Sequence, residues 1–435
     1  MSPSRSRSAN ALASQAQSVL AGGVSASMRI HPYLGRPFYM SRGDGSRVYD
    51  LDGREYIDFN MSNGAAILGH HHPETEQAVM RGLEAGMIAA AETPYHESLA
   101  RTLTEIIPSA ERVRFASTGS EVTLVAVRLA RHVTGRSKIL KFEGHFHGLT
   151  DTFLYRQQDG EVVPSSGGVP TSGAQDTLIL PWNDVDAFEE ALDAHADDIA
   201  AVICEPVHYN AGCIPAAPGF LQLLRQRTSQ AGIVLIFDEV LSGFRSELGG
   251  VQELSGVTPD LSTFAKALAN GMPLSALVGK ADIMEELAPV GPVAHSGTYS
   301  GHLLSVLAAI ATLDELRKPG VYDTLNEQAQ VFFRDLQAIF DRHGLPVVVQ
   351  GLGARFGLYF GRTEPVNTYS DAIGHDHEMN KQFTVGCLER GVYFHAYTGS
   401  GAPGHAGFSL AHNRHDFGLT LDAINDVAAG MARNA

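Results

Sequence analysis

Val234-Leu235-Ile236-Phe237-Asp238 and, one crossover later, Leu261-Ser262-Thr263-Phe264-Ala265-Lys266 decide the fold of this chain. Each is a run of strand length, too short for a buried helix, and each delivers a charged residue at or just past its carboxyl end. In an open parallel sheet, ligands bind where the carboxyl ends of the strands emerge. The surroundings of Lys266 are unusual for a lysine. Leu261, Phe264, Ala265, Ala267 and Leu268 are apolar, and no other charge lies between Asp260 and Lys280. An amine in such a stretch is desolvated, which lowers its pKa and exposes the neutral nucleophile.

Outward from this pair, apolar runs alternate with helical patterns from about residue 60 to about residue 310. The strands read from the pattern are Val113-Arg114-Phe115, Ile139 to Phe142, Ala201 to Cys204, Val234 to Phe237, Leu261 to Phe264 and Ala276-Leu277-Val278. Near-continuous apolar runs separated by helices imply an α/β fold, with a mostly parallel sheet covered on both faces. A long helix is expected from about Leu303 to Arg317. Beyond it, Val347 to Gly351 and Phe356 to Phe360 suggest a smaller α/β domain with an antiparallel sheet. Before it, Ala11 to Leu20 reads as a short helix, and Leu51-Asp52-Gly53 as the turn of a hairpin between Arg47–Asp50 and Glu55–Asp58. The expected division is 1–59, a segment packing with the small domain; 60–315, the large domain; and 316–435, the small domain.

Composition excludes several classes. The 435 residues carry a formal charge of −16 without a basic block, which argues against a nucleic-acid or anionic-membrane surface. Three cysteines form no framework and no CxxC pair, so a reducing cytoplasm fits. The Arg/Ser-rich start, Met1 to Ser8, lacks an apolar core segment and reads as a disordered tail, and no apolar run approaches bilayer length. His70-His71-His72 invites a metal reading, but consecutive side chains diverge, so no metal is expected.

An acid and a desolvated lysine at strand ends are what pyridoxal phosphate chemistry requires. The lysine forms a Schiff base with the cofactor aldehyde, and the acid keeps the pyridine nitrogen protonated so that the ring accepts electrons. Ala116-Ser117-Thr118-Gly119-Ser120 leads from a strand into a helix, and such a helix N-terminus suits a phosphate. Phe146, in Gly144-His145-Phe146-His147-Gly148, could stack on a ring whose other face Val240 would cover.

Ser117-Thr118-Gly119-Ser120-Glu121, Gly144 to Gly148, Cys204-Glu205-Pro206-Val207, Ile236 to Val240, Phe264-Ala265-Lys266 and Ser296-Gly297-Thr298-Tyr299-Ser300-Gly301, in this order, resemble the class III aminotransferases. Within that class the chain is most similar to the glutamate-1-semialdehyde aminomutases, on Gly22-Gly23-Val24 with Arg29, Gly351-Leu352-Gly353, and Phe408 to His412. The resemblance runs from about residue 10 onward. It implies a fold-type-I architecture with a mostly parallel seven-stranded sheet, pyridoxal phosphate bound to Lys266, and a homodimer. It further implies that Asp238 meets the pyridine nitrogen, that Thr118, Gly119 and Ser120 hold the phosphate, and that Phe146 and Val240 sandwich the ring. Glu205 and Asn210 would lie near the phenolic edge, and Thr298 would reach the phosphate of the neighbouring subunit. Arg29 would hold a substrate carboxylate.

Departures from the aminomutase pattern concentrate around the substrate. Asn63 stands where Trp is expected, Ala26 where Ser, His405 where Glu, His302 where Asn and Phe146 where Tyr. Loss of an aromatic wall and an anionic contact favours exchange with free keto acid, and His405 could face an acidic substrate group. The expectation is an aminotransferase acting on a carboxylate-bearing amine and a keto acid. The alternative is an isomerase, either the aminomutase or an amino acid racemase/epimerase. A catalytically silent ligand-binding protein is disfavoured by the presence of both Lys266 and Asp238.

Overall fold

The computed structural model describes residues 8–396 and 401–434. Most of the Arg/Ser-rich start therefore lies outside the described residues. The first helix begins earlier than its apolar pattern suggests. Ser8 Oγ accepts the N–H of Ala11 at 3.2 Å and caps Ala9–Ala16, so residues 17–20 fall in the turn beyond.

Met40–Asp44 (β1), Arg47–Asp50 (β2) and Glu55–Asp58 (β3) form an antiparallel meander. Its second turn closes as the Asp-Gly signal requires. Asp50 Oδ1 accepts the N–H groups of Asp52 and Arg54, each at 2.9 Å, while Gly53 takes φ 82°.

The main sheet contains Arg112–Ala116 (β4), Lys138–Phe142 (β5), Thr177–Leu180 (β6), Ile199–Cys204 (β7), Val234–Glu239 (β8), Leu261–Phe264 (β9) and Ser275–Gly279 (β10). Their spatial order is β6-β5-β7-β8-β9-β10-β4, seven strands in all. Every residue of β7, β8, β9 and β10 is buried, which is why these strands read as unbroken apolar or small-residue runs. Six of the seven match strands expected from the pattern. The seventh, β6, is an edge strand. All neighbours are parallel except β10, which runs antiparallel to both β9 and β4. The short connection explains the reversal, because one 3₁₀ turn, Lys266–Ala269, cannot make the crossover that a parallel strand needs.

Helix Gly119–Thr134 buries Val122, Val125, Ala126 and Leu129 against this sheet, and Leu303–Leu316 covers the other side of the molecule's main core. Beyond it, Val347–Leu352 (β11) and Arg355–Phe360 (β12) pair antiparallel. Val392–Tyr393 (β13) adds to β3 in parallel, and Ala406–Gly407 (β14) pairs with β12. The N-terminal meander is thus completed by a strand from the last part of the chain. Phe59, just after β3, cements this junction, its ring centroid 5.4 Å from Phe332 and 5.2 Å from Phe394. Such aromatic pairs contribute about 0.5–1.5 kcal/mol each beyond the area they bury. Among the described residues, no helix is long and apolar enough to cross a membrane.

Candidate active site

The carboxyl ends of β4, β8 and β9 open onto a cavity of about 310 Å³. Pairing places Asp238 of β8 opposite Thr263 of β9. Three donors converge on the Asp238 carboxylate: Thr263 Oγ1 at 3.0 Å, the Val240 N–H at 3.1 Å and His147 Nδ1 at 2.7 Å. His147 is completely buried and burial lowers its pKa, so it is neutral, with its proton on the nitrogen that faces Asp238.

Lys266 sits two residues beyond β9 with φ 44°, a left-handed conformation that costs energy for a residue with a Cβ and is held by its neighbours. Its side chain faces the same cavity as Asp238. Burial, followed by the nearby Arg245 guanidinium, lowers its pKa from 10.5 to about 8. The desolvation expected from the local sequence is present, but the charges that act on the amine come from distant segments.

Glu205 follows β7. Its Oε1 accepts the N–H of Phe146 at 2.7 Å, and Asn210 Nδ2 reaches both carboxyl oxygens, at 2.9 and 3.0 Å. Burial and then the charge of Asp238 raise its pKa to about 8. Phe146 remains 48% exposed on the cavity wall. Val240 lines the cavity too and packs so tightly on Gly119 that a Cβ there would lie 3.0 Å from both valine methyls. Glu121 reaches back to the Thr118 N–H at 2.6 Å, closing a capping box. The N–H groups of Gly119 and Ser120, in the first helical turn, have no intrahelical acceptor.

Residues 31–400 match the family model for the class-III aminotransferases. The chain belongs to that family. Solved structures agree in fold over almost the whole length. An omega-transaminase from Sphaerobacter thermophilus is 32% identical, with a TM-score of 0.89 and coverage of 98% of each chain. A beta-phenylalanine aminotransferase from Variovorax paradoxus is 29% identical, with a TM-score of 0.88, over 98% of this chain and 94% of that one. A glutamate-1-semialdehyde aminomutase from Pseudomonas aeruginosa PAO1 is 25% identical, with a TM-score of 0.85, over 96% and 93%. Class III aminotransferases are fold-type-I enzymes that use pyridoxal phosphate, so the chain is a pyridoxal-phosphate-dependent enzyme.

The cavity suits that cofactor. It offers a poised amine, a buried carboxylate held by three donors and a helix N-terminus with free N–H groups at Gly119 and Ser120. Nine residues singled out from this class III sequence line it together: Thr118, Gly119, Ser120, Phe146, Glu205, Asn210, Asp238, Val240 and Lys266. The other four do not. Arg29 is exposed and donates to Ser25 Oγ at 2.5 Å. Thr298 is exposed in a separate cleft of about 740 Å³, with Phe115 and His96. Asn63 lies in a left-handed turn, its N–H on Asn60 Oδ1 at 3.3 Å. His405 is buried, with Nδ1 against Arg355 Nη2. Burial and then Arg355 drive its pKa well below 6.5, so the cation here is Arg355 and not His405. His302 caps the helix Leu303–Leu316, accepting the Leu304 N–H at 3.3 Å. His70 bonds Asp58 Oδ2 at 2.8 Å, and His71 bonds Glu76.

Sequence reasoning missed His147, Arg245 and Arg355. His147 stands inside a quoted motif, yet nothing in its spacing shows that it meets Asp238 across the sheet. An arginine in the apolar strand Arg355-Phe356-Gly357-Leu358 was a usable signal, because a charge inside a buried strand demands a partner.

Proposed function

We propose that this enzyme transfers an amino group between a carboxylate-bearing amine and a keto acid. The observation that carries the reading is the joint placement of Lys266, with its pKa lowered to about 8, and the thrice-bonded Asp238 in one cavity. Pyridoxal phosphate, when bound, supplies an aldehyde for amines and a ring that accepts electrons. With that group bound, the Lys266 amine would hold it between turnovers and would afterwards move a proton at the substrate Cα. Asp238, fixed by His147, Thr263 and Val240, would serve the ring nitrogen. Gly119 and Ser120 N–H groups would hold the phosphate, joined by the hydroxyls of Thr118 and Ser120. Phe146 and Val240 would cover the ring, while Glu205 and Asn210 would serve its phenolic edge. Thr298, remote from Lys266 in its own chain, belongs to a second copy's site, which makes the working unit a homodimer.

Support for a carboxylate-bearing amine comes from the likeness to the beta-phenylalanine aminotransferase, and support for transfer over isomerisation from the omega-transaminase. The aminomutase is the more distant of these relatives. The test is a panel of amino acids and amines, followed by the loss of the cofactor's aldehyde absorbance, with a keto acid then added to restore it. Restoration with release of a new amino acid supports the reading. Efficient conversion of glutamate-1-semialdehyde to 5-aminolevulinate, with no net transfer to any keto acid, overturns it in favour of the isomerase.

A further inference from the structure

Three buried imidazoles lead away from Asp238: His147, His145 and His208. The ring centre of His145 stands 5.9 Å from that of His147 and 4.3 Å from that of His208. Trp182, fully buried, closes the group with its ring centre 4.8 Å from that of His145. Phe146, His147 and Gly148 of the motif Gly144-His145-Phe146-His147-Gly148 line the cavity, whereas His145 points its chemistry elsewhere.

The proton positions on two of these rings follow from their partners. His145 Nδ1 accepts the Glu205 N–H at 3.0 Å, so this ring carries its proton on Nε2. His147 donates from Nδ1 to Asp238 at 2.7 Å, so its Nε2 is bare. Burial keeps both rings neutral, and for His145 the adjacent His208, His147 and Lys141 act in the same direction. The two remaining nitrogens are therefore complementary, one a donor and one an acceptor, and neither has a partner among the described residues. At the observed ring separation they lie beyond direct hydrogen-bond reach of each other. Trp182 Nε1, a buried N–H beside His145, has no acceptor among the described residues either. Polar atoms at this depth cost free energy unless they are bonded, and internal water is the usual way of satisfying them.

We propose that an internal water joins His145 Nε2–H to His147 Nε2, and that His145 is a positioning residue for Asp238 through this bridge. Every N–H in the resulting chain points the same way. The Glu205 backbone donates into His145, His145 through the water into His147, and His147 into Asp238. Hydrogen bonds aligned head to tail strengthen one another, and the bridge fixes the His147 proton on the side of the carboxylate. With its proton on Nε2, His147 would instead turn a bare nitrogen toward Asp238 and loosen it. The consequence for the cofactor rests on the reading of Asp238 as the partner of the ring nitrogen.

The test uses protein with isotope-labelled histidine, as apoenzyme and as holoenzyme with pyridoxal phosphate, observed by nuclear magnetic resonance. The wild type should show His147 protonated on Nδ1 and His145 on Nε2, each proton protected from exchange with solvent. His145→Leu should remove the second signal, move the His147 proton upfield as its bond to Asp238 weakens, and weaken cofactor binding by about two- to fourfold. His145→Gln keeps an N–H donor and should restore part of the downfield position, a rescue that filling the space with Leu does not give. Should His145→Leu fail to fold, a high-resolution crystal structure of the wild-type apoenzyme decides, and a water about 2.7–3.2 Å from both Nε2 atoms supports the bridge. The proposal is overturned if no water lies there, if His147 carries its proton on Nε2, or if the His147 signal ignores His145→Leu. If the bridge behaves as described while Asp238→Asn leaves cofactor affinity unchanged, the reading of Asp238 falls and the histidine bridge stands.

Discussion

The lowered pKa of Lys266 sets how fast the apoenzyme captures its cofactor. Only the neutral amine attacks the aldehyde, so the rate follows the deprotonated fraction of Lys266. With a pKa of about 8, that fraction at pH 7.5 is about 0.24, whereas an ordinary lysine near 10.5 has about 0.001, a ratio of about 240. The sign is fixed by the cause. Burial and the positive charge of Arg245 disfavour the ammonium form, so capture rises about tenfold per pH unit below pH 8 and levels off above it. The assay mixes apoenzyme with pyridoxal phosphate in a stopped-flow spectrometer between pH 6 and 10. Each rate is divided by that of N-acetyl-lysine amide under the same conditions, which cancels the titration of the cofactor itself. A ratio that falls steadily as pH climbs above about 8 is expected, because the free lysine goes on gaining neutral amine after Lys266 has none left to gain. A ratio that stays flat to pH 10 would show an unshifted amine and refute the reasoning.

Borohydride reduction of the holoenzyme should attach the cofactor to the peptide carrying Lys266, and Lys266→Ala should retain cofactor without turnover; an adduct on Lys280 or another lysine counts against the assignment. Asp238→Asn leaves the volume almost unchanged but turns an acceptor of three hydrogen bonds into a partial donor, so cofactor affinity should fall by about 2–4 kcal/mol, measured by equilibrium dialysis. For Glu205, the folded chain keeps a proton up to about pH 8 that an exposed glutamate loses near 4.5, so the folded state loses stability as pH rises between those values and no more beyond. Apo Glu205→Gln should therefore match the wild type in Tm at pH 4.5 and exceed it by a few degrees at pH 8.5, the cost relieved being at most about 5 kcal/mol; a gain only at acid pH would contradict this. Gly148→Ala would place a Cβ 2.5 Å from Ser120 Oγ at a φ of 102°, and should lower Tm and weaken cofactor binding together in thermal melts with and without pyridoxal phosphate.

The parallel strands and the cofactor cavity were legible because burial on both faces writes itself as unbroken apolar runs, and because the charged residues that end those runs stand out. β6 escaped because an edge strand of four residues, two of them only partly buried, carries too little apolar signal. The direction of β10 is not encoded in its own residues, which resemble those of the parallel strands; it follows from the length of the turn before it. The turn Met61–Gly64 and the surroundings of His405 were the least legible parts. Met61, Ser62 and Asn63 have no intrinsic preference strong enough to announce a left-handed turn, which exists through Asp58, Arg245 and Arg355. Likewise His405 could be noticed as an unusual residue, but its neutral state is set by burial and then by an arginine on a neighbouring strand.

The reversed strand β10 also governs when the sheet can close during synthesis. β4 emerges from the ribosome long before β10, yet among the described residues β10 is its only partner in the sheet. Until residues 275–279 are available, β4 carries unpaired backbone groups on both edges, and the helix that follows it has no fixed place from which to present Gly119 and Ser120. The nascent chain must therefore pass through a long interval with a sticky strand and an unfinished phosphate cradle, a state prone to intermolecular pairing. Non-local pairing of this kind makes folding slow. It also makes the cofactor a late arrival, bound by a chain that has already emerged beyond β10 and acting as a latch on a sheet that is already closed.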